Sequence, residues 1–235
     1  MNMKSTLLQN LKKSFLLFLS LNTLFYLNSC VKGDESSLNV SSISVIHASP
    51  ELPAIDFYYN GSRINGDSII AYGDTIPYKI FNAGTAAIVV KKYISSTTYI
   101  STNIDLQSEK NYSFFVIGKP NEVSYLLTSD DLTVPASGKA KLRFLNLSPD
   151  APSLNFKINS TNLFGSMAFK SYSEFNPIDS GEQKISIHDS ASGAILAEQN
   201  LNIEAGKIYT VWVKGLFKAT ENDLALSLQV VKIQP

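Results

Sequence analysis

The chain has 235 residues, with 20 basic and 20 acidic side chains, two histidines and a single cysteine. So even a charge balance excludes the basic surplus on which nucleic-acid binding depends, and one cysteine excludes a disulfide framework within the chain. Charged side chains are few while hydroxyl, amide and aromatic ones are plentiful, the composition of extracellular β-structure with hydroxyl-rich outer faces.

The first segment carries an address. Lys4, Lys12 and Lys13 form a positive start, and Phe15 to Leu27 is mostly apolar but interrupted by Ser20, Asn22 and Thr23. That run is too short and too polar for a membrane span, which needs about 20 predominantly apolar residues, and it fits a removable signal. Leu27-Asn28-Ser29-Cys30 follows, with a small residue directly before the cysteine and a leucine three before it, and it resembles a bacterial lipobox. The resemblance implies cleavage before Cys30 and acylation of its thiol; the competing reading is a secretory signal with a chance cysteine. Acyl chains on Cys30 would hold the protein at a membrane surface, each buried CH₂ contributing about 0.8 kcal/mol. Val31-Lys32-Gly33-Asp34-Glu35-Ser36-Ser37 reads as a polar leash. Its lysine followed by acidic residues resembles a surface-export signal of some Gram-negative bacteria. The expected location is therefore the bacterial outer membrane, lipid-anchored and facing outward, with the periplasmic face as the other possibility.

Beyond that segment the chain repeats itself. Ser49-Pro50 and Ser148-Pro149 lie 99 positions apart, as do Pro53 and Pro152, Phe57 and Phe156, and Asn60 and Asn159. Gly84 with Gly181, Tyr112 with Tyr209, and Gly118 with Gly215 recur at 97. A tandem duplication with one small loop-length difference explains both offsets, and two copies are too few for a solenoid. In the first copy, strands are expected at Ser44–His47, Ile55–Tyr59, Ala86–Tyr93, Tyr99–Leu106, Asn111–Ile117 and Val123–Thr128, separated by breakers such as Asn60-Gly61, Gly73-Asp74 and Ala83-Gly84. In the second they are expected at Lys141–Leu147, Leu154–Ile158, Gln183–His188, Ala194–Ile203, Lys207–Lys214 and Leu224–Lys232. Helical periodicity is absent. The expected architecture is all-β: two tandem antiparallel sandwich domains of immunoglobulin-like or transthyretin-like type. The expected division is a signal over 1–29, a leash over 30–41, domain one over 42–132, a linker over 133–139 around Pro135-Ala-Ser-Gly138, and domain two over 140–235.

A family resemblance rests on the corner motif. His47-Ala-Ser-Pro-Glu-Leu-Pro-Ala-Ile-Asp-Phe-Tyr-Tyr-Asn-Gly61, with Ala83-Gly84 and Tyr112-Ser-Phe-Phe-Val-Ile-Gly118, resembles the DUF4397 domain family. Leu147-Ser-Pro-Asp-Ala-Pro152 and Tyr209-Thr-Val-Trp-Val-Lys-Gly215 match it again. The resemblance implies an extracellular β-sandwich domain of bacterial surface or secreted proteins, often in tandem, with no established activity. His47 of the opening motif is replaced by Asn146 in the second copy, which argues against chemistry shared by both. Proline fixes φ and lacks an N–H, so the motif suits a stiff corner where a strand leaves its sheet.

Chemistry is scarce. His188-Asp189-Ser190 contains all three triad types, but chain neighbours in a strand point to opposite faces. There is no G-x-S-x-G elbow, no H-E-x-x-H, no cysteine pair and no phosphate-cradling glycine loop. Asp67 with Asp74, and Glu51 with Asp56, could bind calcium or act on a glycosidic bond, but solvated loop charges account for them as well, and Asp56 becomes Asn155 in the second copy. Nothing points to a cofactor or a metal, and no enzyme activity is expected.

Aromatic rings are the better lead. Alternation along Tyr209–Lys214 puts Tyr209, Val211 and Val213 toward the core and Trp212 outward, with Phe115 at the matching place in the first copy. Trp212, Phe115 and Tyr58 are the candidate contacts for a glycan or protein partner; the other reading is that a neighbouring strand or the second domain covers Trp212. The function expected is a lipid-anchored binding or spacer module. The alternatives are a carbohydrate-active hydrolase using loop carboxylates and a structural subunit of a surface assembly.

Overall fold

A computed structural model describes residues 39–220 and 224–233. The expected signal segment, Cys30 and nearly all of the expected leash lie outside the described residues. Sixteen strands follow in order. The first copy holds β1 (Val40–His47), β2 (Ile55–Tyr59), β3 (Ser62–Arg63), β4 (Thr75–Asn82), β5 (Gly84–Lys92), β6 (Thr98–Leu106), β7 (Asn111–Ile117) and β8 (Ser124–Asp130). The second holds β9 (Lys139–Asn146), β10 (Leu154–Ile158), β11 (Thr161–Met167), β12 (Asn176–Asp179), β13 (Gly181–Asp189), β14 (Ile195–Ile203), β15 (Ile208–Lys214) and β16 (Ser227–Ile233). Each copy is a sandwich of two four-stranded sheets, ordered β4-β1-β7-β8 over β3-β2-β5-β6, and β12-β9-β15-β16 over β11-β10-β13-β14.

The strongly periodic strands fall within a few residues of where the sequence places them. Four others, β3, β4, β11 and β12, carry no clear strand signal. β4 holds Pro77 and β12 holds Pro177, and a proline inside a run argues against a strand. Both are edge strands, each paired on one side only, so the missing N–H is tolerated. The sheets also depart from the all-antiparallel expectation, because β1 pairs with β7 in parallel and β9 with β15 likewise. The intervening strands leave for the partner sheet and return, so both strands of each pair enter the inner sheet from the same end. The Asn60-Gly61 hairpin turn forms between Tyr59 and Ser62 with φ of 46° and 81°, the two positive values of a type I′ turn.

Three cores hold four layers. Ile43, Val45, Phe57, Ile88 and Phe114 fill the first sandwich, and Phe144, Phe156, Ile185, Ile187 and Val211 fill the second. A third core joins the two inner sheets and consists of Ile46, Ala48, Phe115, Ile117, Leu145, Leu147 and Trp212. Consequently β1, β7, β9 and β15 are buried on both faces. The hydroxyls of Ser42, Ser44, Ser113 and Thr210, on strands of the two inner sheets, are buried here too, because each copy covers the inner sheet of the other. The joint is built from matching positions of the duplication: Ile46 meets the role of Leu145, Ala48 that of Leu147, and Phe115 that of Trp212. Six of the seven core residues thus come from like places in the two copies, in the manner of an isologous dimer contact, while Ile117 has Lys214 as its counterpart.

Candidate functional site

The sequence candidates separate on inspection of the joint. Trp212 and Phe115 do point away from their own sandwich cores, as alternation requires, but both are fully buried between the two domains. Neither is open to a glycan or a partner, which corrects the expectation that they form a contact surface. The physical reason is the one weighed against it: a large exposed ring gains about 1.5–3 kcal/mol by being covered. Tyr72 joins them, accepting a hydrogen bond from the Gly215 N–H at 2.7 Å across the joint, with Lys214 Nζ 4.8 Å from its ring centre. Burial pushes the Tyr72 phenol up to about 12. Tyr58 is different. It lies on the outer face of β2, half-buried, with Lys91 Nζ 5.2 Å from the ring centre, and remains the one sequence candidate on an open face.

At the other end of the joint lies an ion pair that the sequence reading missed. Arg143 on β9 is 1% exposed and Asp130 on β8 is 5% exposed. The guanidinium bonds Asp130 Oδ1, Thr128 Oγ1 at 2.9 Å, Ser113 Oγ at 3.1 Å and Thr210 Oγ1 at 3.0 Å. Asp130 also accepts from Tyr78 OH at 2.6 Å, Ser113 Oγ at 2.5 Å and Thr128 Oγ1 at 2.9 Å. Phe175 flanks the guanidinium at 4.4 Å and Phe115 at 5.8 Å. Burial and the Asp130 carboxylate push the Tyr78 phenol well up. A visible signal existed: Arg143 stands between Leu142 and Phe144 in a core strand, where the first copy has Ser44.

Beside this ion pair the two domains and their connector enclose a cleft of about 520 Å³. Asp130 lies in its floor, and Glu109, Asn111, Asp131, Thr133, Tyr172 and Glu174 are among its walls. Tyr172 is 41% exposed. Asp131 is held by Lys141 Nζ at 2.7 Å and by the Thr133 hydroxyl, contacts that lower its pKa to about 2.

Most of the side chains considered for chemistry make structural contacts instead. His47 is fully buried, its Nε2 donating to the Pro53 carbonyl at 3.1 Å, and desolvation lowers its pKa. Its counterpart Asn146 donates to the Met167 carbonyl at 3.0 Å, so both copies use this position to hold a distant backbone carbonyl. Ser49 Oγ donates to the Gly118 carbonyl at 2.6 Å, which fastens the Ser-Pro corner to the end of β7. Asp189 accepts from the backbone N–H groups of Ala191 and Ser192 within its own turn, and His188 instead meets Ser186 Oγ at 3.0 Å and the Gly193 carbonyl at 3.2 Å. Asp56 is buried against Asn65 and Arg63, Asp67 pairs with Arg63, and Asp74 caps the Ala71 N–H. Among the described residues no group of three or more His, Cys, Asp or Glu side chains could hold a metal ion.

Solved structures that match the chain include a family 26 carbohydrate-binding module from Eubacterium rectale in complex with maltoheptaose, 10% identical, covering 83% of this chain and 98% of that one at a TM-score of 0.25. A second is a family 41 carbohydrate-binding module from streptococcal virulence factors described for α-glucan recognition, 12% identical, covering 80% and 96% at a TM-score of 0.27. Likeness of that degree carries no argument about a ligand. No curated protein matches the sequence significantly. The family described as a domain of unknown function (DUF4397) matches twice, over residues 41–157 and 148–230. With the corner motif, the doubled sandwich and the repeated inner-sheet strands all in place, the chain belongs to the DUF4397 family and carries two tandem copies of its domain.

Proposed function

We propose that this protein is a lipid-anchored, non-catalytic module of the outer-membrane surface, tethered through Cys30, that presents an extracellular glycan-binding surface on one stiff body. The observation that carries the reading is the joint between the copies. A buried ion pair at one end, a seven-residue apolar core in the middle and the Lys119–Asp150 pair at the other end leave the two domains little freedom to hinge. Stiffness of this kind serves display and recognition, because a preorganised surface loses less entropy on binding. Of the four carboxylates considered for hydrolysis, Asp56 and Asp74 are tied into backbone and side-chain structure, so neither pair retains two free members to act as acid and base. Mass spectrometry of the natural product tests the anchor: the expected N-terminus is an acylated Cys30, and an uncleaved, unacylated chain would sink it. Protease shaving of intact cells tests the outward location, and a glycan array paired with a hydrolysis assay separates binding from turnover.

A further inference from the structure

We infer that the cleft at the mouth of the joint is a binding site for a neutral oligosaccharide, with a sugar ring stacked on Tyr172 and its hydroxyls taken by Glu109 and Glu174. The inference rests on the binding role proposed above and specifies where and what the protein binds. The cleft, about 520 Å³, falls in the size range of small-molecule sites, and such sites favour domain interfaces. Its floor is already rigid, since Asp130 accepts hydrogen bonds from Arg143 and three hydroxyls.

The duplication shows which of its residues the fold does not require. Tyr172 bridges to Leu145 at the place where Thr75 pairs with Ile46 in the first copy, so a threonine suffices for that edge, yet the second copy carries a 41% exposed ring. Glu109 has φ of 61°, and its counterpart is Gly206 with φ of 77°. The turn is thus one that glycine suits, and the first copy nevertheless keeps a side chain there, on the cleft wall. Ring plus carboxylate is the combination that sugars use: the apolar face of a pyranose stacks on the aromatic, and its hydroxyls donate to carboxylate oxygens. The charge balance selects the sugar type. Asp130 is matched by Arg143 and Asp131 by Lys141; of the other charges lining the cleft, the Glu109 and Glu174 carboxylates outnumber the single cation, Lys110, so the cleft stays net acidic and disfavours a uronic or sulfated sugar.

The test uses the purified full chain on an array of neutral, amino-substituted and uronic oligosaccharides, with Tyr172→Thr, Glu174→Gln and Glu109→Gly alongside. Neutral glycans should be retained by the parent, and Tyr172→Thr should weaken binding at least tenfold with the melting temperature little changed. Glu109→Gly should raise the melting temperature and still weaken binding, which a merely structural role would not produce. Neutral-glycan binding that survives all three substitutions places the site elsewhere and overturns this inference while the binding role stands. Binding confined to cationic amino sugars and abolished by salt overturns it as well. Retention of no glycan at all overturns both.

Discussion

Replacing Arg143 by methionine is the sharpest perturbation of the joint. Methionine keeps an unbranched chain between Phe115 and Phe175 but removes the guanidinium, so Asp130 stays buried without its counter-charge. Breaking one side of a buried ion pair costs about 3–5 kcal/mol. Asp130 keeps three hydroxyl donors from Tyr78, Ser113 and Thr128, which argues for the lower end, about 3 kcal/mol. With a urea m-value of about 2–3 kcal/mol per molar, the midpoint should fall by roughly 1 M. The assay is built into the molecule, because the sole tryptophan, Trp212, sits in the joint. Its fluorescence reports the joint, and far-UV circular dichroism reports the sandwiches. In the parent the two transitions should coincide; in Arg143→Met the fluorescence transition should come first. Adding Asp130→Asn should restore most of the loss, since an uncharged pair leaves no isolated ion. Strictly additive costs for the two substitutions, or a midpoint shift too small to measure, would refute the view that this pair locks the domains.

Other consequences follow from the same geometry. Trp212→Ala should lower stability by about 3–5 kcal/mol in urea titration, as expected for deleting a fully buried ring rather than a surface contact. His47 has a folded pKa lowered from 6.5, so the unfolded chain binds its proton first and stability contributed by neutral His47 is lost as the pH falls below about 6.5. The parent should therefore lose more melting temperature between pH 7.5 and 5.5 than His47→Asn, which borrows the second copy's residue. Ile94 is a β-branched residue at φ of 47° and 75% exposed. Ile94→Gly should raise stability by about 1 kcal/mol in the same titration, because it removes a left-handed strain and uncovers no core.

Much of the fold was legible because β-sheet periodicity is local. Val and Ile alternating with polar residues, Asn60-Gly61 and the glycines at 118 and 215 announce strands and turns from neighbouring residues alone. The corner motif and the 99- and 97-residue offsets likewise reveal a duplication without any coordinates. β4 and β12 stayed hidden because an edge strand can hold a proline, and edge status depends on what pairs with the other side. The site was less legible still. Outward alternation placed Trp212 and Phe115 correctly relative to their own sheets, yet nothing along the chain says whether the space beyond is water or protein. Arg143 and Asp130 are 13 positions apart across the connector, and only the meeting of the inner sheets turns them into a pair.

Local order in the sequence thus settled the class of fold, the doubling and the turn chemistry, each of which depends on residues within a strand or a hairpin of one another. Whether an outward face is a surface or a core depends on residues about 100 positions away, and only the tertiary structure decides it: burial is a property of what covers a side chain. Face-to-face packing of the copies turned two apparent contact rings and a row of hydroxyls into the seam of one body, and moved the open candidate ground to Tyr172 at its mouth and Tyr58 on its outer wall.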